Sequence, residues 1–384
     1  MQTSRRDFIR VLGTGATIGA AGTMLGGCWD MPDRAVEGWA GPAADLKDTR
    51  VRALAFAILA PNPHNKQAWS VDLSRSGEIL LYVDRSRLLP ETDPLSRQIM
   101  IGQGTFLELL AMAAVAQGFR ADVTLFPEGA FGAEAVDGRP VARVVVTRDD
   151  TVRRDPLFDQ VLKRRTNREA FADRPLSADH AAGMATAVAG GGVRLAVSRE
   201  TEQVASLRRI VEEAWDVEIM TPRTLKESID VTRIGATEIE RHRDGISVTG
   251  FMPWVGKTVG MVTPASMQEH GSMGFRIGLE MGRTQARSAA AFAWLTTFGN
   301  DRVAQIEAGR AYARLHLQAT ALGIAFHPMS QALQEYPEVQ ASQRKLREVL
   351  RVSPSETVQM LVRLGYAEAP GPSPRRPLQT FLRV

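Results

Sequence analysis

The chain is poor in cysteine, with only Cys28 among its 384 residues. One thiol cannot form a disulfide within the chain, so the fold must be stabilised by packing. The six histidines do not show the spacing of a metal-binding motif such as H-E-x-x-H. No G-x-S-x-G sequence is present either, which excludes the nucleophile elbow of the α/β-hydrolases. The sequence therefore offers no motif for metal-dependent or acyl-transfer chemistry.

The net charge is also small, because 47 lysine and arginine residues face 43 aspartate and glutamate residues and leave +4. Arg5, Arg6 and Arg10 together with Asp7 contribute 3 − 1 = +2 of this within the first 28 residues, so the remainder carries 4 − 2 = +2. This balance does not favour a nucleic acid as partner. With 44% hydrophobic residues, the chain is long enough for one large or two ordinary globular domains.

The first 28 residues are interpreted as a signal peptide. Residues 4–10, SRRDFIR, precede an uncharged run rich in glycine and alanine over residues 11–27, and together they resemble a twin-arginine export signal. Residues 25–28, LGGC, resemble a lipobox, in which the chain is cut before Cys28 and lipid is attached to its thiol. The alternative is that Cys28 is an incidental small residue near a cleavage site.

Such a signal implies the twin-arginine translocation machinery as a partner and a periplasmic protein or a membrane-anchored lipoprotein as the product. Twin-arginine export carries proteins that are already folded, often around a cofactor, which favours a cofactor acquired in the cytoplasm. Residues 29–42, rich in Pro, Gly and Asp, are predicted to form a tether between the signal and the folded protein.

Three arginines and a threonine crowd into residues 161–171, VLKRRTNREAF. Arg164 and Arg168 are four residues apart, so on a helical turn they share one face and can converge on one anion, with Thr166 adding a hydroxyl. A phosphate would suit this arrangement. The alternative is a basic face in contact with solvent.

A second informative stretch is residues 59–69, LAPNPHNKQAW. A helical pattern over residues 43–59 must end before Pro61, and a strand is predicted at residues 70–73. Between them, Pro61, Asn62, Pro63 and Asn65 indicate a stiff polar turn, which is well suited to holding a ligand.

An internal repeat is indicated by two alanine-rich helical segments. Residues 104–118 align with residues 309–323 at an offset of 309 − 104 = 205, and both segments end in glycine before a short strand. Further strands are predicted at residues 79–83, 141–147 and 358–364. The alternative explanation is that any two buried alanine-rich helices align loosely.

Pro61, Asn65, Gln67 and Trp69 reproduce the P-S-x-x-N-x-Q-P-W spacing of the nitroreductase family of FMN-dependent oxidoreductases. Residues 161–171 resemble the opening helix of that family, and His64 resembles its Acg-like subgroup, whose members are fused pseudo-dimers. Asn62 and Ala68 depart from the usual serine and proline. The resemblance implies an α+β nitroreductase fold with two related halves in one chain, at residues 43–150 and 151–384.

The resemblance further implies one non-covalent FMN per chain. Arg164 and Thr166 would bind its phosphate and ribityl oxygens, and Arg168 would lie near the N1/O2 edge of the ring, where a positive charge stabilises the reduced flavin. The turn would pack on the ring. The remaining implied contacts are the backbone of a loop near flavin N5 and a closing basic pair near the phosphate, contributed by Met329, Ser330, Gln331, Arg375 and Arg376.

By the same resemblance the reaction is ping-pong electron transfer through flavin N5 to a small electron acceptor such as a nitroarene or quinone. No side chain need act as acid or base. The extra length of the second half lies mainly between residues 200 and 300, where helices are predicted at residues 202–215 and 225–243. The insertion around residues 221–275 is either a mobile lid or a packed arm. Since nicotinamide donors are not expected outside the cytoplasmic membrane, a flavin-storage protein or an envelope redox partner remains an alternative. A structural lipoprotein without flavin is a third.

Overall fold

The structure, a computed structural model, describes residues 27–188 and 191–383. The proposed signal falls mainly on residues 1–26, outside the described part. The first half contains α1 (Asp33–Val36), α2 (Thr49–Ala57), β1 (Trp69–Asp72), β2 (Glu78–Val83), α3 (Arg97–Val115), β3 (Phe119–Leu125) and β4 (Ala142–Arg148). The second half begins with α4 (Ala178–Ala185), β5 (Val193–Ser198) and α5 (Thr201–Met220).

An arm follows α5, made of α6 (Pro222–Asp230), β6 (Thr232–Ile234), α7 (Ala236–His242), β7 (Ile246–Val248), α8 (Phe251–Thr258), α9 (Pro264–Gln268) and α10 (Met273–Arg287). The second half then ends with β8 (Ala291–Phe298), α11 (Arg302–Ala321), β9 (Ala325–Pro328), α12 (Gln340–Leu350) and β10 (Glu356–Gly365).

The two main sheets have the same topology. The strand order is β1-β2-β4-β3 in the first half and β5-β8-β10-β9 in the second, and neighbouring strands are antiparallel in both. In each half one long helix, α3 or α11, lies between the second and third strands of the sheet in chain order. The predicted α+β class with two related halves is therefore confirmed.

The helices α3 and α11 cross at two glycines. A Cβ atom on Gly104 would lie 2.9 Å from the Cα of Gly309 and would also collide with the backbone oxygen of Ile306. A Cβ atom on Gly309 would meet Gly104 and the backbone oxygen of Ile101 in the same way. Both pairs of equivalent residues obey the predicted offset, 309 − 104 = 306 − 101 = 205. Only glycine lets the two backbones approach this closely.

Both crossing helices stop at the predicted glycines. Gly118 and Gly323 have φ angles of 79° and 67°, the left-handed conformation that commonly follows a helix C-terminus. By length and composition α3 could cross a membrane, but 89% of the apolar window is buried inside the protein. It is therefore the central core helix of the first half, packed against α11.

Two equivalent arginines, which the sequence analysis did not single out, join the halves. Arg97 at the start of α3 donates hydrogen bonds to the backbone oxygens of Leu333 and Val358 in the second half. Arg302, 205 residues later at the start of α11, donates to the oxygens of Leu95 and Ala133 in the first half. Both side chains are buried. Each of them joins the start of a long helix in one half to backbone oxygens of the other half.

The predicted tether and half boundaries need correction. Residues 29–42 are folded, because α1 and a buried Trp39 lie within them. The C-terminal segment also crosses back to the first half, where Phe381 packs near Trp69 and Leu382 pairs with Val71. The hydrophobic effect explains both, since Trp39 and Phe381 complete the core of the first half.

The inserted arm extends from Pro222 to Arg287, and its elements differ from the predicted helices. The helix predicted over residues 225–243 is interrupted by β6 and by Gly235, whose φ is 82°. Leu225 and Ile229 of α6 pack with Ile219 and Phe275 in a separate small core. The arm is thus a packed substructure, and it also contacts the first half, where the Arg87 side chain donates to Asp244 and the Thr92 N–H donates to Glu227.

We expect the Gly104→Ala substitution to lower the free energy of unfolding by about 2–3 kcal/mol, because overpacking here forces two backbones apart. Gly278→Ala in α10 is the matched control. A Cβ atom there meets nothing within 4 Å, so this variant should gain about 0.5–1 kcal/mol from helix propensity. Urea denaturation of both variants measures the difference, and equal effects would contradict the described crossing.

Candidate functional site

A cavity of about 320 Å³ lies between the two halves and beneath the arm. The first half contributes Pro61 to His64, and the second contributes Thr166, Arg168 and residues 328–331. The arm adds mainly apolar side chains of α6, α8 and α10. A largely apolar cavity of this size with a few convergent polar groups is typical of a small-molecule site.

The turn after α2 is held in an unusual backbone conformation. His64, Asn65 and Gln67 have φ angles of 46°, 50° and 52°, which cost energy for residues other than glycine. The side chain of Asn62 compensates, because its Oδ1 accepts a hydrogen bond of 2.7 Å from the backbone N–H of Gln67. From α3, the Thr105 hydroxyl donates to the backbone oxygen of Pro61 at 2.6 Å. Asn62, where the family has serine, therefore helps to fix the turn.

Arg168 is the cation of the cavity. Its side chain lines the cavity and is exposed there, while the surrounding protein lowers its pKa by desolvation. Among residues 27–188 and 191–383, no carboxylate or hydrogen-bond acceptor pairs with it. Arg168 therefore has five N–H donors available for an anionic or carbonyl-bearing ligand.

The prediction of a helical turn at residues 161–171 is wrong. Arg164 and Arg168 therefore do not share one helical face. The chain leaves a turn at Lys163 and has no helix or strand from Arg164 to Arg168. Arg164 instead lies outside the cavity lining, donates a 2.8 Å hydrogen bond to the Leu59 backbone oxygen and is 2% exposed. Arg165 also points away and stacks on Trp39, 4.2 Å from the ring centroid.

The roles predicted for Asn65, Arg375 and Arg376 also need correction, because none of the three lines the cavity. Asn65 donates to the Pro374 backbone oxygen, and its own Oδ1 accepts from Arg375 at 2.9 Å. Arg375 further donates to the oxygens of Ile58 and Leu59. These carbonyls end α2, where the helix dipole favours cations. The three residues therefore support the turn from behind, and Arg376 does so through its backbone N–H, which donates to the Gln67 side chain.

Arg363 positions the segment that carries Arg168, and the sequence analysis missed it. Its buried guanidinium donates to the backbone oxygens of Asn167 and Glu169, the two neighbours of Arg168. It also stacks on Phe171 at 3.8 Å and donates to His327 Nδ1 at 3.0 Å. The available signal was an arginine within the otherwise apolar strand residues 360–364, MLVRL.

Residues 329–331 bring backbone donors to the cavity. The N–H of Met329 is used in the sheet, where it donates to Leu361 at 2.8 Å. The N–H groups of Ser330 and Gln331 have no acceptor among the described residues. Both residues are partly buried and line the cavity, so these two N–H groups are available to a bound molecule.

The ionisable groups of the cavity leave it with an excess of positive charge. Burial lowers the pKa of His64 to about 4, helped by the charges of Arg168 and Lys66, so this imidazole is neutral. Burial raises the pKa of Asp93 to about 7, although two backbone N–H groups oppose the shift. It also raises the pKa of Glu218, which has Ser228 as hydrogen-bond donor. With both carboxyl groups shifted towards their neutral forms, Arg168 dominates the field.

We expect His64 to make the protein less stable in mild acid. Its pKa is lower in the folded than in the unfolded chain, so protons bind the unfolded state more strongly between pH 6.5 and 4. The wild type should lose about 2 kcal/mol more free energy of unfolding between pH 7 and pH 5 than His64→Asn. Asparagine tolerates the left-handed backbone, which removes strain as a cause. Equal losses in urea titrations at the two pH values would refute the assignment.

Comparison with known proteins was made for the sequence and for the fold. No family model matches the chain. The chain is 27% identical over 356 residues to "Putative NAD(P)H nitroreductase Rv3131" of Mycobacterium tuberculosis, covering 88% of this chain and 93% of that protein. It is 25% identical over 350 residues to "Putative NAD(P)H nitroreductase acg" of the same organism, covering 86% and 94%.

Among solved structures, the FMN-dependent nitroreductase NfnB from Mycobacterium smegmatis in complex with NADPH matches with a TM-score of 0.37 and 18% identity, covering 59% of this chain and 97% of that one. Because this TM-score is low, the fold is described by the strand order of the two sheets and not by this match. The sequence similarities cover more of this chain than the structural match does, 88% and 86% against 59%, and they extend over 93% and 94% of the two relatives. The chain is thus similar over 86–88% of its length to two proteins named as putative NAD(P)H nitroreductases.

Proposed function

We propose that the chain is an oxidoreductase that binds one FMN non-covalently in the cavity and passes electrons to a small-molecule acceptor. The observation that carries the proposal is Arg168, a guanidinium without a partner among the described residues, in a cavity whose lining also includes Ser330 and Gln331 with N–H groups that have no acceptor there. Three donor groups without acceptors in the lining of an apolar cavity fit a planar ring with a polar, electron-rich edge.

Different residues of the cavity would contact different parts of such a ring. Arg168 and Thr166 would bind its polar groups, and Pro61, Asn62 and Pro63 would pack on its face. FMN supplies two-electron chemistry when bound. The chain supplies the positive charge of Arg168, which favours an anionic reduced ring, and the arm, whose apolar side chains exclude water.

Further support comes from the way the cavity is built. The turn belongs to the first half and Arg168 to the second, so one complete site needs both halves. Between the start of the first half at residue 43 and Pro61, no cluster of arginines comparable to residues 164–168 occurs, because the only basic residues there are Lys47, Arg50 and Arg52. We therefore propose one flavin per chain.

The electron acceptors proposed are nitroaromatic or quinone-like molecules. The relatives are named for NAD(P)H, and a nicotinamide is a proposed donor here. An exported flavin-storage protein or envelope redox partner without NAD(P)H turnover is the second candidate. The packed arm over the cavity favours it, because a nicotinamide ring would have to pass beneath α8 and α10 to reach the site.

Export by the twin-arginine pathway and lipid attachment at Cys28 are also proposed. Residues 4–10 and 25–28 support them through their sequence. The thiol of Cys28 is free and exposed, as modification by lipid would require. The proposed location is the periplasm or the membrane surface beside it.

The test is the visible spectrum of the purified protein, followed by anaerobic titration with NADH, NADPH and dithionite. Flavin bands that bleach with a nicotinamide support the oxidoreductase. Bleaching by dithionite alone supports storage or an envelope donor. A colourless protein that also fails to take up added FMN would refute flavin binding altogether.

We expect Arg168→Met to weaken FMN binding at least about tenfold, because a hydrogen bond to a charged group contributes about 1.5–3 kcal/mol. Arg153→Met is the matched control. Arg153 is exposed, donates only to nearby backbone oxygens and does not line the cavity. Fluorescence titration of the flavin-free proteins gives both dissociation constants. The role of Arg168 is wrong if its variant binds FMN as the control does.

A further inference from the structure

The imidazole ring of His327 is oriented by the buried Arg363. The two residues face each other across β9 and β10, and the Nε–H of Arg363 donates to Nδ1 of His327 at 3.0 Å. A guanidinium can only donate hydrogen bonds, so Nδ1 is the acceptor of this pair. In a neutral imidazole the single proton then lies on the other ring nitrogen. His327 is therefore a donor through Nε2–H.

The surroundings of His327 keep its ring neutral. Burial is the largest cause and lowers the pKa of His327 well below its usual value. The charges of Arg363 and Arg168 and the nearby His316 act in the same direction. Because a second proton is disfavoured from each of these sides, Nδ1 stays an acceptor and Nε2 stays a donor.

The Nε2–H group of His327 borders the cavity. It has no hydrogen-bond acceptor among residues 27–188 and 191–383. Nε2 is also not one of the enclosed polar atoms that lack a partner, so a water-sized molecule can reach it. Only 8% of the surface of His327 is exposed, and the residue lines the cavity. This donor is therefore available to a molecule bound in the cavity.

Arg168 and His327 are held in place by one set of contacts. The Asn167 N–H donates to the Phe326 backbone oxygen at 2.9 Å, which joins the residue before Arg168 to the residue before His327. Arg363 donates to the Asn167 backbone oxygen as well as to the His327 ring. One buried guanidinium thus fixes both a cationic donor and a neutral donor of the cavity.

We propose that His327 binds the ligand of the cavity together with Arg168, its Nε2–H donating to a carbonyl oxygen while the guanidinium contacts a neighbouring, more negative atom. The assignment rests on the proposed binding of FMN, whose ring carries a carbonyl group beside a nitrogen that becomes anionic on reduction. Arg363 is a positioning residue in this arrangement, because it acts on the ligand only through His327 and the segment that carries Arg168.

The tautomer can be tested without flavin. In the flavin-free protein with ¹⁵N-labelled histidines, nuclear magnetic resonance distinguishes a protonated ring nitrogen from an unprotonated one, and the His327 signals are assigned by their loss in His327→Gln. We expect Nε2 to be protonated and Nδ1 unprotonated at pH 7. A proton on Nδ1 would overturn the proposal, because the ring could not then accept from Arg363.

Two substitutions separate the roles of the two ring nitrogens. The amide of His327→Asn reaches only as far as Nδ1, so it keeps an acceptor for Arg363 and removes the donor to the cavity. The amide of His327→Gln reaches as far as Nε2 and keeps that donor. We expect the asparagine variant to weaken FMN binding about three- to tenfold and the glutamine variant to stay within about twofold of the wild type.

His242→Asn is the matched control, because His242 is exposed and does not line the cavity. Fluorescence titration of the flavin-free proteins gives the dissociation constants, and circular dichroism shows whether each variant keeps the fold. Wild-type affinity in His327→Asn would overturn the proposal, and so would equal losses in the two His327 variants, since Nε2–H would then have no role of its own. If the wild type and the control both fail to take up FMN, the proposed function itself is refuted, and the contact to FMN with it.

Discussion

The contact between Gly104 and Gly309 is the constraint on which the rest of the structure depends. Because neither residue has a side chain, α3 and α11 meet backbone to backbone and bring the two sheets together around them. Thr105, next to Gly104, then reaches the Pro61 carbonyl and anchors the turn. Arg97 and Arg302, at the starts of the same helices, fasten each half to the other. The cavity is the space left between two halves held in this way.

Buried arginines, more than carboxylates, organise the walls of that cavity. Arg363 and Arg375 direct their N–H groups at backbone carbonyls, which offsets the cost of removing a cation from water. Arg164 does the same towards Leu59 and lies close to Trp39. Arg168 differs because it faces the cavity without an acceptor in the described part of the chain. Of these four arginines, Arg168 is thus available to a ligand, and the other three fix the backbone around the cavity.

Sequence reasoning succeeded where the signal was local or periodic. The repeat at offset 205, its closing glycines and the strands at residues 79–83 and 358–364 follow from hydrophobic period and glycine placement. It failed where tertiary contacts decide the outcome. Arg164 and Arg168 were expected on one helical face, but the segment is not helical, and the Leu59 carbonyl and Arg363 hold it through hydrogen bonds. The packing of Trp39 and Phe381 could not be read from the sequence either, because their partners are more than a hundred residues away.

The turn at Asn65 is closed by Pro374 and Arg375, which follow it by 309 and 310 residues. A ribosome adds about 5–20 residues per second, so on the order of tens of seconds separate the synthesis of the turn from that of its support. Contacts so distant in sequence also form slowly, because the entropy cost of closing a long loop comes before the contacts can stabilise the fold. The turn therefore gains this support only after residues 374 and 375 have been made, so whatever the pocket binds is captured long after the turn itself has been synthesised.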